Sequence, residues 1–338
     1  MNDDQAVLAR RTVLGGALAG AGLLALGGTA SAARPRRVLI ATNEPWGTYH
    51  VKPLLAEADR RGWQLTQLVP DRTGVAPDDP VPVAVPGEVS RADLLVVTGA
   101  EEWPAECAAR FRRLPLAASS LAYLNPKEAA RARWLRPRLR AITASSPAEA
   151  RAFAGYLGTR RKVRVVGAPQ ADTLPTRTPE PGLVLVLTSV THPDGTGAAA
   201  PGTELLLAAA EKLQAAGKRI LVGLHPREDP SLWSRYEIRD VPSLQASARA
   251  EAAIGIPGTV FPLIAAVGTP LVGCVDPALT VPEHLLAVCS STITDPAPAV
   301  SAVDGAELPD AAVLADAVGP VGGSAARLLD VWARVSRR

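Results

Sequence analysis

The sequence predicts an α/β protein: two facing Rossmann-like domains with a cleft between them, after an N-terminal signal segment. Three observations carry this reading. Short Val/Leu/Ile runs alternate with stretches of helical periodicity, as buried parallel strands and their crossover helices do. The alternation breaks once, at Pro169, Pro175, Pro179 and Pro181, and then restarts. The first 33 residues follow neither pattern.

That opening segment reads as an address. Arg10-Arg11-Thr12-Val13-Leu14 leads into Gly15–Thr29, which carries no charge, and Ala30-Ser31-Ala32 closes it. A basic start, an apolar core and a small-residue cleavage site make an export signal. Twin arginines before a Gly-rich core point to the Tat type. Residues 1–33 are therefore expected to be a Tat-type signal peptide, and the Tat translocase a partner during export. The expected location is exported, outside the cytoplasmic membrane. An uncleaved segment of about 20 residues is the other reading, since it is long enough to span. The membrane is then met only through this segment. A misassigned start would instead leave the chain cytoplasmic, though Met1 is the sole Met.

The N-terminal Rossmann-like domain is expected over 34–174. Its strand-like runs are Val38–Ala41, Leu65–Val69, Leu94–Thr98, Ile142–Ala144 and Val163–Val166. Val51–Arg61 and Pro147–Tyr156 read as helices between them. Ser146 is the expected N-cap of the second, with Pro147 at the first helical position and Glu149 completing a capping box. The proline-rich stretch Pro70–Pro86 is expected to be an exposed connector. Residues 175–182 form a Pro-rich linker, and 183–308 the C-terminal Rossmann-like domain. Its runs are Leu183–Leu187, Ile220–Leu224, Glu237–Arg239, Ala252–Ile256 and Leu271–Val275, with helices at Thr203–Ala216 and Phe261–Val267. Residues 309–338 read as C-terminal helices.

Composition excludes several classes. The 338 residues are 47% hydrophobic with a net charge of +3, which argues against disorder. Only five of 36 basic residues are Lys, and the bases read as scattered among 33 acids. Nucleic acid is therefore not an expected partner. Three cysteines are too few for a disulfide framework; one Cys274–Cys289 bridge or three buried thiols are the alternatives. Four histidines without nearby carboxylate spacing give a metal site no support. No Gly-x-Gly-x-x-Gly or Gly-x-Ser-x-Gly is present, and no cofactor is expected.

In doubly wound sheets ligands bind outside the carboxyl ends of the strands. Gly223-Leu224-His225-Pro226 ends one run, because Pro226 cannot continue a ladder. An imidazole there suits a phosphate or a ribose. Gly258-Thr259 opens the helix that ends at Gly268-Thr269-Pro270, and offers amides and a hydroxyl to a phosphate. Thr188 and Ser189 start a hydroxyl-rich loop, Leu187–Gly197, which lacks the Lys of a P-loop. In the first domain Asn43–His50 follows the first strand, and Glu44 or His50 is the candidate general base. Helix capping by Glu44 or Thr259, and core packing by His50, are the structural alternatives.

Taken together these motifs resemble the GT-B glycosyltransferase-like superfamily. The similarity is nearest to the CDP-glycerol glycerophosphotransferases and the UDP-GlcNAc 2-epimerases, over roughly Leu94 to Val275. Ile142–Ser146, Val165–Asp172, His225-Pro226 and Gly258–Pro270 carry it. The resemblance implies a nucleotide-contacting role for His225 and a donor-phosphate role for the Gly258–Pro270 helix. The chain departs from those families where an acidic residue is usual in that helix: Pro262 and Leu263 stand there. The expected function is transfer from a nucleotide-linked or phosphate-linked sugar or polyol in cell-envelope glycopolymer metabolism. A catalytically inactive GT-B-like shell that binds glycan or phosphate is the alternative.

Overall fold

Val38, Leu39 and Ile40 are a β-branched and apolar run that must bury both faces, and they lie at the centre of a parallel sheet. The computed structural model describes residues 34–121, 127–189, 201–225, 228–238 and 241–337. The expected signal segment, His192 with most of its loop, and Pro226 lie outside the described residues.

The first sheet has seven strands in the order β3-β2-β1-β4-β5-β6-β7. They are β1 (Arg37–Ala41), β2 (Gln64–Leu68), β3 (Val83–Ala84), β4 (Leu94–Val97), β5 (Leu116–Ser119), β6 (Leu139–Ala144) and β7 (Arg164–Val165). Its helices are α1 (Leu55–Arg60), α2 (Glu102–Arg110), α3 (Ala132–Leu135) and α4 (Pro147–Tyr156). The second sheet has six strands in the order β10-β9-β8-β11-β12-β13. They are β8 (Leu183–Leu187), β9 (Arg219–Gly223), β10 (Glu237–Ile238), β11 (Ala252–Gly255), β12 (Leu271–Cys274) and β13 (Ser291–Ile293). The helices that follow are α5 (Thr203–Ala215), α6 (Ser243–Ser247), α7 (Phe261–Val267), α8 (Glu283–Leu286), α9 (Ala299–Asp304), α10 (Ala311–Val318) and α11 (Ser324–Ser336). The strand pairs of both sheets run parallel.

Strand alternation sends neighbouring residues to opposite faces. Leu39 and Ala41 pack with Leu135, Phe153 and Tyr156 on one face of the first sheet. Val38 and Ile40 pack with Leu54, Leu328 and Trp332 on the other. The second sheet repeats the scheme. Leu185 and Leu187 meet Phe261 and Ile264, while Val184 and Val186 meet Leu206, Leu213 and Trp233.

Leu328 and Trp332 belong to α11, the last helix of the chain, yet their core is that of the first sheet. The polar ties agree. Trp332 Nε1 donates to Ser119 Oγ at 3.0 Å, and Thr143 donates to the same hydroxyl at 2.8 Å. The Asp172 carboxylate accepts the Ser324 and Ala325 amides at 2.5 and 2.9 Å, and so caps the start of α11. Gly167 lies under that cap with φ +87°, and a Cβ there would stand 2.2 Å from Ser324 Oγ. Arg151 on α4 forks onto Asp316 of α10, an exposed pair that adds little stability.

Several elements differ from the sequence expectation. Val51–Arg61 is one 3-10 turn, Lys52–Leu54, followed by α1, because Pro53 removes an amide that a continuous helix would need. The Pro70–Pro86 stretch contains the edge strand β3, whose Val83 and Ala84 pair with Gln67 and Leu68. Its Val81 is buried. The small residues of β5 conceal a fully buried strand that the apolar-run pattern passes over. Cys107, Cys274 and Cys289 are free thiols, and burial pushes each up to about 12. The basic residues are not evenly scattered: the turn after α2, the α3 region and the loop before β7 meet at one end of the first sheet. Among the described residues no helix is long and apolar enough to cross a membrane.

The capping box at α4 forms with one change. Ser146 Oγ accepts the Glu149 amide at 3.1 Å, while Glu149 Oε2 accepts the Ser145 amide at 3.1 Å. Its other oxygen accepts the Ser120 hydroxyl. Burial pushes the Glu149 carboxyl up to about 7, against the two hydrogen bonds that favour its anion.

Two predictions follow from this core. Trp332→Ala should cost about 3–5 kcal/mol of unfolding free energy in a urea titration, as buried aromatic truncations do. A loss below about 1 kcal/mol would mean that α11 does not share the first core. Because the folded state holds the Glu149 proton more tightly than the unfolded chain, its contribution is complete below about pH 4.5 and is lost as pH rises through about 7. The change should be on the order of 3 kcal/mol. Comparing Glu149→Gln with the parent across this window should remove that slope, and parallel curves would contradict it.

Candidate functional site

At the carboxyl end of β1 the chain turns sharply. The Thr42 hydroxyl donates to the Glu44 carbonyl, and the Gly47 amide closes onto the same oxygen at 2.8 Å. Gln67, buried in β2, donates to the Pro45 carbonyl at 2.6 Å. A Cβ on Gly47 would press on that Glu44 carbonyl at 3.1 Å and on the His50 ring at 3.2 Å. The turn continues as a 3-10 segment, Thr48–His50, with Thr48 donating to Asp79. These ties set Glu44, Tyr49 and His50 side by side. The Tyr49 hydroxyl donates to Glu44 Oε2, and the Tyr49 and His50 rings are 4.1 Å apart. His50 is buried, and its Nε2 makes no hydrogen bond but lies 3.8 Å from Glu44 Oε2.

The second sheet supplies the opposite wall. Beyond β9, the His225 amide donates to Thr188 Oγ1 at 2.9 Å, and its carbonyl accepts the Glu228 amide at 2.9 Å. Glu228 is itself buried and accepts the Trp233 indole at 3.2 Å. The His225 backbone is thus held from both sides. Its ring meets Tyr49 edge-on, with centroids 5.7 Å apart at 83°. One residue from each strand-end loop therefore touches the other, and Glu44, His50 and His225 share a single aromatic neighbour. Thr188 acts here as an acceptor that orients His225, and Ser189 beside it is half-buried.

Gly258 and Thr259 lie beyond β11, and no described hydrogen bond or ring contact joins them to the Tyr49–His225 group. The helix spans the expected Phe261–Val267 with Val260 as N-cap, so Gly258 and Thr259 form the turn before it, and Thr259 makes no side-chain cap. The Gly258 carbonyl accepts the Phe261 amide at 3.0 Å. Among the described residues a Cβ on Gly258 would find only the Ile256 carbonyl, at 3.9 Å, so none of them crowds this turn. Pro262 and Leu263 are buried in the second core.

Sequence reasoning missed Tyr156. An aromatic at the end of an amphipathic helix reads as core, and its ring is core, but its hydroxyl is a hub. It accepts from Asn43 Nδ2 at 2.9 Å and the Ala100 amide at 3.0 Å, and donates to Glu101 Oε1 at 2.9 Å. Burial pushes the phenol up to about 12, so it stays a donor. Asn43 Oδ1 in turn accepts the Glu101 amide at 3.3 Å. A Cβ on Gly99 would overlap the Asn43 side chain at 2.1 Å, so this packing requires glycine. The hub fixes the loops after β1 and β4, and with them the placement of Glu44.

Chemically, the group combines a carboxylate oriented by a phenol, a buried imidazole beside it, and a second imidazole on the opposite wall. A carboxylate so placed can accept a proton from a hydroxyl. An imidazole at a strand end can donate to a phosphate oxygen.

Comparison with known proteins places the fold. No family model matches the chain, and no curated protein matches it significantly. Solved structures do. A variant of the wall teichoic acid polymerase TagF soaked with CDPG superposes with a TM-score of 0.60 at 10% identity, covering 90% of each chain. The calicheamicin glycosyltransferase CalG4 gives 0.56 at 16% identity, over 90% of this chain and 99% of that one. The UDP-GlcNAc 2-epimerase of Methanocaldococcus jannaschii gives 0.51 at 12%, over 88% and 99%. The fold is the two-domain, Rossmann-like GT-B fold.

Tyr156→Phe leaves the Asn43 amide, the Ala100 N–H and Glu101 without their shared partner. It should cost about 1–3 kcal/mol in chemical denaturation, the range for stranding buried polar groups. A neutral result would mean that the hub does not hold the loop.

Proposed function

We propose that the chain is an exported GT-B-fold transferase acting on a nucleotide- or phosphate-linked sugar or polyol in cell-envelope glycopolymer metabolism. The observation that carries this reading is the Tyr49–His225 contact, where the strand-end loops of the two sheets converge on one carboxylate. In this reading His225 donates to the donor diphosphate, and Thr188 holds His225 in place. Ser189 and the open turn at Gly258 and Thr259 receive the phosphate oxygens with hydroxyls and amides. Glu44, oriented by Tyr49, takes the proton of the acceptor hydroxyl as that oxygen attacks, and His50 stabilises the carboxylate from below. The nucleotide leaves with the bonding pair, and its new charge is met by His225 and the amides.

The structural neighbours support the substrate class, because the TagF variant was soaked with CDPG and the Methanocaldococcus enzyme is a UDP-GlcNAc 2-epimerase. The expected signal at 1–33 supports export. One observation favours a second reading: α7 buries Pro262 and Leu263 and carries no polar side chain, so it offers nothing to hold a sugar or polyol hydroxyl. A catalytically inactive shell that binds glycan or phosphate would need no such group.

The test is thermal stability of residues 33–338 with CMP, CDP, UDP, GDP and phosphate. A ligand at 100 times its Kd adds about 2.7 kcal/mol and raises Tm visibly. One nucleotide should shift Tm selectively, and His225→Ala should abolish the shift while the variant stays folded. A flat panel from folded protein would overturn the transferase reading and leave the binding shell.

A further inference from the structure

Three segments meet at the amino-terminal edge of the first sheet, at the opposite end of its strands from the candidate site. They are residues 110–113, 127–140 and 158–164. Arg138 pins the first two by donating to the carbonyls of Ala108 and, at 3.2 Å, Phe111. Arg136 reaches the Gly158 carbonyl, and Arg161 the Leu139 carbonyl, which bring in the third. Those 25 residues hold thirteen of the chain's 36 Lys and Arg residues and one of its 33 Asp and Glu residues. The remainder of the chain is therefore net negative. A chain-wide preference for Arg would spread the charge; it does not explain this concentration.

Arg112, Arg113, Arg133, Arg140, Arg160 and Lys162 are all exposed, and among the described residues none forms an ion pair. An open depression of about 520 Å³ on the same edge is lined by Arg91, Arg110, Arg112 and Arg113. Trp134 is 53% exposed, and the guanidinium groups of Arg131 and Arg133 lie over its ring at 4.4 and 5.8 Å. So many like charges on one surface repel one another unless a polyanion neutralises them.

We propose that this edge is a docking surface for a linear, multiply phosphorylated polyanion. Guanidinium forks grip separate phosphates two bonds at a time, which suits a chain of discrete phosphate groups. Two other occupants fit less well. Trp134 is the only large exposed hydrophobic residue on these segments, and its ring is covered by arginines, so little apolar area is offered to a bilayer. Single-stranded nucleic acid is gripped by several exposed aromatics in succession; among the described residues of these segments Trp134 is the only exposed aromatic, and Phe111 in the depression is half-buried. The surface stands apart from the candidate site, so the inference does not depend on the transferase reading.

The experiment is calorimetric titration of the full chain with long-chain inorganic polyphosphate at 50 and 200 mM salt. Affinity should fall at least tenfold between the two salts, as multiple phosphate contacts require. Arg112→Gln/Arg133→Gln should weaken binding about tenfold and reduce the salt slope by about one per contact removed. The control pair Lys212→Gln/Arg219→Gln, exposed bases of α5 and β9 in the second sheet's half, should leave it unchanged. Absent binding at 50 mM salt, or equal weakening by both pairs, would overturn the proposal. So would tighter binding to vesicles containing 30% phosphatidylglycerol, or to oligo(dT) of matched charge.

Discussion

The return of the last helix to the first sheet is the constraint on which the rest depends. The chain leaves the first sheet once, through the stretch around Pro175–Gly182, and comes back once, into α11. A single covalent crossing would leave two sheets free to rotate about one linker. The second crossing is anchored by Trp332 in the Val38–Ile40 core and by Asp172 at the start of α11. With both in place, the loops beyond β1 and β9 face each other, and Tyr49 can reach His225. The site is thus a consequence of how the C-terminus is tied down, some distance from any residue that would do chemistry.

Each wall of the site is built by the same device. A strand ends, its next residues turn tightly, and buried polar groups collect the backbone amides and carbonyls that the turn releases. Gln67, Thr42 and the Tyr156 hub do this for the first wall, and Thr188 and Glu228 for the second. Small residues are needed where loops approach closely: Gly99 leaves room for Asn43, and Gly167 for Ser324. The open turn at Gly258 is the exception, because no described residue fills the space its missing side chain leaves.

Much of the fold was legible because burial on both faces writes itself as Val/Leu/Ile runs; β1, β4, β8 and β9 all read this way. β5 was not legible, since Leu-Ala-Ala-Ser carries too little bulk to register as a run, although its neighbours bury it completely. β3 was hidden by prolines, which an edge strand tolerates and a central one does not. Strand ends pointed to Glu44 and His225, but not to their shared neighbour, because contacts between distant loops leave no periodic trace. Tyr156 and Glu149 were hidden for a different reason. Their local roles, core aromatic and capping acid, are correct, and only the three-dimensional packing adds the hub and the raised carboxyl. The basic edge was hidden for the same reason: its three segments are separated in the chain and joined only by arginine-to-carbonyl bonds.

The central claim is that the two sheets make one site through Tyr49 and His225. A double-mutant cycle on unfolding free energy tests it most directly, with Tyr49→Ala, His225→Ala and the pair. Edge-to-face ring pairs carry about 0.5–1.5 kcal/mol beyond their area, so the cycle should return a coupling in that range. Losses that simply add, with coupling below about 0.3 kcal/mol, would contradict it and separate the two walls.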